Sequence, residues 1–571
     1  MSVAPATATQ LYENGRILTM SRAAGASEGE AMAVRDGVIV AVGTARDVAA
    51  VAGADAERCD LRGQTLLPGF IDAHHHPSIV ALYGALVRLV RPLVTDVASL
   101  QRALAAAAEK LAPGEWLVAC DWDELNLKER RPPTRAELDD AVPDRPLFAM
   151  HYSCHRAVVN SRALELVGID RTTASPSGGT ISRGKDRVPD GLLIERAMCR
   201  AEEAARASLI AQDADGYFAR LTRHHEALLA KGVTYVVDAT VPTDLLTLYR
   251  EGLRRGALRV PTLAFPVSTK GYLEAPWDIL DGPVTGQADG ELLRVGPVKL
   301  VFDGAPGCAM CLSWWQAAGS MLSAWARAAE DGSLDAVRTA FSVKPRFEGT
   351  SVRTGIAIYR RDEAEAIVRA AAERGFSVAI HAVGNEAVAT ALGAYAAAPV
   401  NGAAALRRIE HATFLDEPLV RRIKDSGVAV VAQPHFMSLP AYASAPSIPG
   451  LRNSPLRWLL DAGVPVAGSS DFPVAGFDPL DGVRSAMSRK TLRGHVYEGD
   501  QCVSLDEALA MYTRTAAEVC GEGATRGTLE VGRRADFVVV QGSLRRAEEL
   551  ETARVVATAL GGEVVFGALA S

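Results

Sequence analysis

Two rhythms of apolar and polar positions run along this chain. Up to about residue 65, short apolar runs alternate with turns: ILTM (Ile17–Met20), then AMAVRDGVIVAVG (Ala31–Gly43), where Asp36-Gly37 between two alternating runs predicts a hairpin. The tail repeats that character in GTLEVGRRADFVVVQG (Gly527–Gly542) and ATALGGEVVFG (Ala557–Gly567). Two β-rich ends around one large middle predict that the ends pair into a composite β-sandwich domain.

The middle has a longer period. HHEALLAKGVTYVVDA, EAEAIVRAAAERGFSVAIHAVG, EPLVRRIKDSGVAVVAQP and LRWLLDAGVPVAGSSD each read as helix, glycine, β-branched strand, then a polar residue at the strand's end. Repeated units of this kind imply a parallel sheet, and their number favours a closed (β/α)8 barrel of the TIM type, with its site at the carboxyl ends of the strands. Between about Leu93 and Met198 the rhythm breaks into turn-rich stretches such as KERRPPTRAELDDAVPDRP and SPSGGTISRGKDRVPDG. These read as a subdomain inserted over the barrel. The expected divisions are 1–66 (first part of the β domain), 67–91 (first barrel strand), 92–205 (insertion), 206–524 (rest of the barrel) and 525–571 (second part of the β domain).

Composition narrows the function classes. The 571 residues are 48% hydrophobic and 23% charged, as in an ordinary globular protein. Sixty-one basic and 68 acidic residues give a net charge of −7, with no Lys/Arg cluster, which argues against a nucleic-acid partner. No apolar run approaches the ~18–20 residues needed to span a bilayer, and the start lacks the basic and apolar blocks of a secretory signal. Eight scattered cysteines do not form a disulfide framework. The expectation is a cytoplasmic enzyme acting on a small molecule, away from membranes, with a homodimer expected only because that state is common. Cys308 and Cys311 form the one CxxC pair; without a second pair they read as two thiols packed in a loop.

Candidate chemistry starts at LPGFIDAHHHP (Leu67–Pro77). Side chains alternate along a strand, so His74 and His76 share one face and His75 takes the other. Two imidazoles placed together at a strand end are a natural pair of metal ligands, although HxH alone is a weak signal against a merely polar strand end. Other strand ends add to it: His381 in VAIHAVG, His411 in RIEHATF, Asp471 in VAGSSDFPV, and Lys299 in the apolar GPVKLVFDG. A lysine buried there would be costly as an ammonium, so it either pairs with a carboxylate or is chemically changed.

At this point the sequence resembles the amidohydrolase superfamily, through PGFIDAHHH, the His381 and His411 strands, GSSDFP and GTLEVGRRADFVVV. The insertion (WDELNLKERRPPTRAELDDAVPDRPLF, HRAVVNSRALELVGI, SPSGGTISR) together with GPVKLVFDG is similar to amidohydrolase family 3, the YtcJ-like proteins. The resemblance runs from about Ala33 to Phe566. It implies that His74, His76, His381, His411 and Asp471 are metal ligands and that Lys299 falls where the group has a lysine able to become N6-carboxylysine. It also implies one or two divalent ions, zinc foremost, with Asp471 as general base and then acid, and hydrolysis of a C–N bond of amide or N-formyl type. Ester or cyclic-amide hydrolysis, deamination, and lyase or isomerase chemistry are alternatives on the same site; a metal-free binding scaffold is disfavoured because no ligand is missing.

His155 and Asn160 match the group's insertion motif and are candidates to face the substrate, with helix capping as the other reading of Asn160. Gln433 and His435 in AQPHF are candidate pocket residues. Asp303-Gly304 can be a structural turn, His224 and His225 read as surface or packing residues, and His151 and His495 have no supporting pattern. The loop APGCAMCLSWWQ departs from the group, and Trp314 and Trp315 can be either an aromatic pocket wall or helix packing.

Overall fold

The structure, a computed structural model, describes residues 9–569 except 24–26, 85, 305–306, 335, 338–344, 400–406, 440–441, 443–445 and 543. Both ends of the chain share one sheet. Thr65–Pro68 pairs antiparallel with Phe537–Gln541, within a six-stranded sheet that also holds Glu28–Gly29, Arg16–Leu18, Arg554–Leu560 and Glu563–Gly567. A four-stranded sheet of Val38–Gly43, Ala31–Arg35, Gln10–Glu13 and Glu57–Asp60 lies against it. Buried Tyr12, Ile17, Met32, Leu66, Phe537 and Val539 form the apolar layer, and Tyr12 meets the edge of Phe537 at 4.9 Å between centroids. The predicted hairpin is present: Arg35 pairs with Val38, and Asp36 and Gly37 both have positive φ (52° and 76°).

Eight parallel strands carry the middle of the chain: β1 (Phe70–His75), β2 (Val233–Val241), β3 (Thr262–Pro266), β4 (Val298–Val301), β5 (Val378–Ala382), β6 (Arg407–His411), β7 (Ala429–Ala432) and β8 (Val466–Gly468). β1, β2 and β3 pair in that order, as do β4 to β8, giving two parallel sheets. Backbone bonds link the sheets at both edges: Gly296 N donates to Ala264 O (2.8 Å), and Asp471 N donates to His74 O (2.8 Å). β1, β2 and β5 are buried along their whole length, which is why they read as near-continuous apolar runs rather than alternating ones.

The helix–glycine–strand units are explicit at Glu417–Asp425. Asp416 caps its start by accepting from Leu419 N, and Pro418 occupies the first turn. Gly427, at φ 65°, then turns the chain into β7 in a conformation that side-chain-bearing residues rarely adopt.

The interrupted region builds its own sheet: Val87–Arg88, Leu117–Trp122 and Leu147–His151 run parallel, and Arg156–Val159, Pro189–Glu195 and Gly179–Arg183 continue it antiparallel. Leu100, Leu104, Leu117, Trp122, Leu138 and Val158 give it a separate core. No helix among the described residues is long and apolar enough to cross a membrane.

Candidate active site

The carboxyl ends of β1, β5, β6 and β8 bring His74, His76, His381, His411 and Asp471 together. His74 closes on His76 (5.3 Å between ring centroids) and on His411 (5.1 Å), and His411 on His381 (4.4 Å). Asp471 lies between the first two: its Oδ1 is 3.0 Å from His76 Nε2 and 3.5 Å from His74 Nε2. Donor atoms of His74, His76 and Asp471 all fall within 4.8 Å of one another. His411 and Asp471 sit at φ 73° and 55°, unusual for residues with side chains, so the fold holds both in place against local preference.

The far sides of the His74 and His411 rings are already engaged. His74 Nδ1 donates to Glu410 Oε2 at 2.6 Å, leaving Nε2 toward Asp471. His411 Nδ1 donates to Gln433 Oε1 at 2.8 Å, and the Gln433 amide donates in turn to Val431 O and Ser469 Oγ, which fixes its orientation. Glu410 is clamped by the buried guanidinium of Arg408 at 2.5 and 2.8 Å, and Arg408 also donates to Ala73 O (2.6 Å) in β1. The carboxylate behind His74 and the amide behind His411 set those two tautomers and leave each inner nitrogen with a lone pair.

Burial decides the protonation states. It pulls His74 to about 3 and His411 to about 4, with Lys299 pushing the same way, and it takes His381 well below its usual value. All three are therefore neutral at pH 7 and can donate lone pairs. Burial alone would raise Asp471, but the imidazoles of His74, His76 and His411 outweigh it and keep the group an anion. Lys299 is 3% exposed, and its Nζ has no hydrogen-bond partner. Burial lowers it to about 8 despite the attraction of Glu410 and Asp471. His76 Nδ1 and His381 Nε2 are likewise buried without a hydrogen bond, the latter 3.6 Å from Asp303 Oδ1. A site with three buried nitrogens that make no hydrogen bond, beside an ionised carboxylate, is short of an electrophilic partner.

The insertion contributes to the same rim. His155 stands 5.5 Å from the His381 ring, and its Nδ1 is 2.9 Å from Glu195 Oε2. Burial would lower His155, but Glu195 and the more distant Asp303 and Asp471 raise it instead. Glu195 adopts φ 53°, and Gly304 leaves room for it: a Cβ on residue 304 would fall 1.9 Å from Glu195 Oε1. Asp303, beside it, accepts from the amides of Ala309, Val383 and Gly384 at 2.8–2.9 Å and pins the loop after β4 to the end of β5.

Other candidates are placed elsewhere. Asn160 is wholly buried within the insertion: Oδ1 accepts from Ala163 N and Leu147 N, and Nδ2 donates to Val142 O and Arg145 O, which uses all its capacity as a helix cap and sheet tie. His435 turns away from the imidazole cluster, its nitrogens 3.1 Å from Ser469 O and 2.8 Å from Asp478 O. His75 packs behind β1 against Ser470 Oγ (3.0 Å) and the buried His224 (2.7 Å between Nε2 atoms). Trp314 and Trp315 are not packed inward: they are 51% and 74% exposed on the helix Trp314–Asp331, and Trp314 stacks on Phe347. Cys308 and Cys311 are free thiols. Asp123, Glu124 and His151 also converge in the insertion, but the Arg156 guanidinium already holds Glu124 (3.0 Å) and His151 (2.8 Å) there.

The model of amidohydrolase family 3, described as "Amidohydrolase family", matches residues 57–566. The chain belongs to the amidohydrolase family. It is an enzyme of that hydrolytic class, whose members act on carbon–nitrogen bonds. Among relatives, the N-substituted formamide deformylase of Arthrobacter pascens is 29% identical over 92% of this chain and 93% of its own length. The putative amidohydrolase YtcJ of Bacillus subtilis (strain 168) is 26% identical over 97% and 99%. An uncharacterized metal-dependent hydrolase from Pyrococcus horikoshii OT3 shares the fold, with a TM-score of 0.67 and 22% identity over 94% of this chain and 98% of that one.

Glu410, Arg408, Glu195 and Asp303 were not predicted as parts of the site. Glu410 adjoins His411, and strand alternation assigns neighbours to opposite faces; the left-handed turn at His411 breaks that alternation. The available signal was RRIEHATF itself, an acidic and a basic residue two apart in an otherwise buried strand.

Proposed function

We propose that this amidohydrolase is a metal-dependent hydrolase of a small amide, most readily an N-formyl or other N-acyl amine, and that the two parallel sheets close into one (β/α)8 barrel. The barrel would carry a composite β-sandwich formed by both ends of the chain and the inserted subdomain over its rim. The observation that carries the functional reading is the convergence of the inner nitrogens of His74 and His76 on Asp471 Oδ1, beside neutral His381 and His411 and an unpartnered Lys299. These donors fit a divalent cation, with imidazole and carboxylate ligation favouring zinc. The formamide chemistry rests on the name of the Arthrobacter pascens relative, which is similar along nearly its whole length.

His74, His76, His381, His411 and Asp471 would hold the metal. Lys299, neutral in a growing fraction toward pH 8, could be carboxylated by carbon dioxide to become an anionic ligand for a second ion. When bound, the metal supplies a Lewis acid and a water whose pKa is lowered to around 7. Asp471 takes the proton as the water oxygen adds to the carbonyl carbon. It then returns that proton to the nitrogen as the C–N bond breaks, so the products are a carboxylic acid and an amine. Glu410 and Gln433 hold the His74 and His411 rings in register, and His155, oriented by Glu195, faces the substrate from the insertion.

The test is a panel of N-formyl, N-acyl, lactam and ester compounds assayed with zinc-loaded protein. Release of formate or another acid together with the free amine is the expected result. Turnover of esters alone, with every C–N substrate untouched, would overturn the amide assignment.

A further inference from the structure

The helix Trp314–Asp331, in the long segment between β4 and β5, turns an aromatic stripe outward. Trp314, Leu322 and Trp325 recur at helical spacing with Trp315 beside them, and they are 51%, 73%, 53% and 74% exposed. Phe347, 62% exposed on the adjoining strand Arg346–Glu348, extends the stripe by stacking on Trp314 at 5.0 Å with planes 3° apart. The opposite face of the helix docks on the protein: Ala324 and Ala328 are buried, and a Cβ on Gly319 would meet Pro449 at 2.4 Å.

The area reaches the upper part of the range for a monomer's largest apolar patch, and such patches are often functional. With a full aromatic side chain at about 150–250 Å², the exposed parts of these four rings amount to roughly 500 Å², and Leu322 adds to them. A monomer's largest apolar patch is typically ~300–600 Å², and a stable interface takes ~800 Å² from each partner. The stripe is therefore the size of the apolar centre of one standard interface, and it is made of the residue type that dominates such centres.

Charge selects the occupant. From Ser313 to Ala326 there is no charged residue, and the first beyond, Arg327, faces Glu330 of its own helix at 3.6 Å. Charges begin only at the stripe's edge, with Arg346 and Glu348 on either side of Phe347. A second copy brings the same uncharged stripe, and because Trp314 and Trp325 stand ~16 Å apart along the axis, antiparallel packing about a two-fold axis sets each against the other's counterpart. We propose that the chain is a homodimer joined through this stripe, with the two Trp314–Asp331 helices crossing near Ala318 and Leu322.

Sedimentation of the full chain tests it directly. Wild-type protein at micromolar concentration is expected at twice the mass of one chain. Trp315→Glu combined with Leu322→Glu is expected to weaken the dimer at least about thirtyfold. Its circular dichroism and thermal midpoint should stay close to wild type, because both positions are exposed. If that variant fails to fold, Ala318→Cys provides the check: oxidation is expected to cross-link it into a covalent dimer, with the wild-type chain as control. A wild-type chain that sediments as a monomer throughout, a charged variant that dimerises like wild type, or an Ala318→Cys chain that stays monomeric on oxidation would each overturn the proposal.

Discussion

Replacing Lys299 by methionine should stabilise the metal-free protein while destroying its activity. Methionine nearly matches lysine in length and needs no hydrogen-bond partner, and the Lys299 Nζ has none. Burial lowers the ammonium from 10.5 to about 8, which at ~1.4 kcal/mol per pKa unit is a cost of about 3 kcal/mol below pH 8. The sign follows from proton counting. Between pH 8 and 10.5 the unfolded chain holds a proton on this lysine that the folded chain has released, so wild-type stability rises with pH through that window. The penalty is fully present below pH 8 and gone above 10.5. At ~2 cal/mol/K of unfolding entropy per residue, about 3 kcal/mol corresponds to a midpoint shift of roughly 3 °C for a chain of this length. The assay is a thermal scan of both proteins after chelation, in buffer free of carbon dioxide, at pH 7 and again near pH 10. Lys299→Met should melt higher at pH 7, with the gap closing as the pH rises. An equal or lower midpoint at pH 7 would mean that Lys299 is a satisfied cation, and the argument for its modification would fall with it.

Asp471→Asn is expected to abolish turnover while retaining most bound metal, since the proton carrier goes and the other ligands stay; kcat and metal content measured together check both halves. Glu410→Gln removes the charge behind His74 but keeps an acceptor, so metal affinity should fall about tenfold to a hundredfold in a chelator competition; unchanged affinity would strip Glu410 of its positioning role. Gly304→Ala must displace Glu195, because the new Cβ would lie 1.9 Å from Oε1. His155 would then lose its partner, and kcat/KM should drop on the order of tenfold with metal content unchanged. A wild-type kcat/KM would remove the Glu195–His155 pair from the mechanism.

The convergence of distant strand ends could be read from the sequence because it rests on simple periods. A buried strand ending in one polar residue, repeated after each helix and glycine, brings His381, His411 and Asp471 to one rim however far apart they are in sequence. The same logic separated His74 and His76 from His75, which the fold turns toward Ser470 and His224. What period-two reasoning missed lies where the backbone leaves the strand. His411 at φ 73° puts Glu410 behind His74, and Glu195 at φ 53° reaches His155 from a strand whose inward face the pattern alone did not give. Asn160 and His435 carry functional residue types but serve the backbone, because a buried amide or imidazole satisfied by main-chain groups looks identical in sequence to one facing a ligand. The residue types of Trp314 and Trp315 left a pocket wall and helix packing open, whereas this helix turns its apolar stripe to the surface.

The central claim is that His74, His76, Lys299, His381, His411 and Asp471 form one divalent metal centre. Elemental analysis of protein purified without chelator and then dialysed against zinc tests it most directly, with His74→Ala/His76→Ala measured beside it. At least one ion per wild-type chain, largely lost in the double variant, is the predicted result. Substoichiometric metal in the wild type under every loading condition, or occupancy that survives the loss of both histidines, would contradict it.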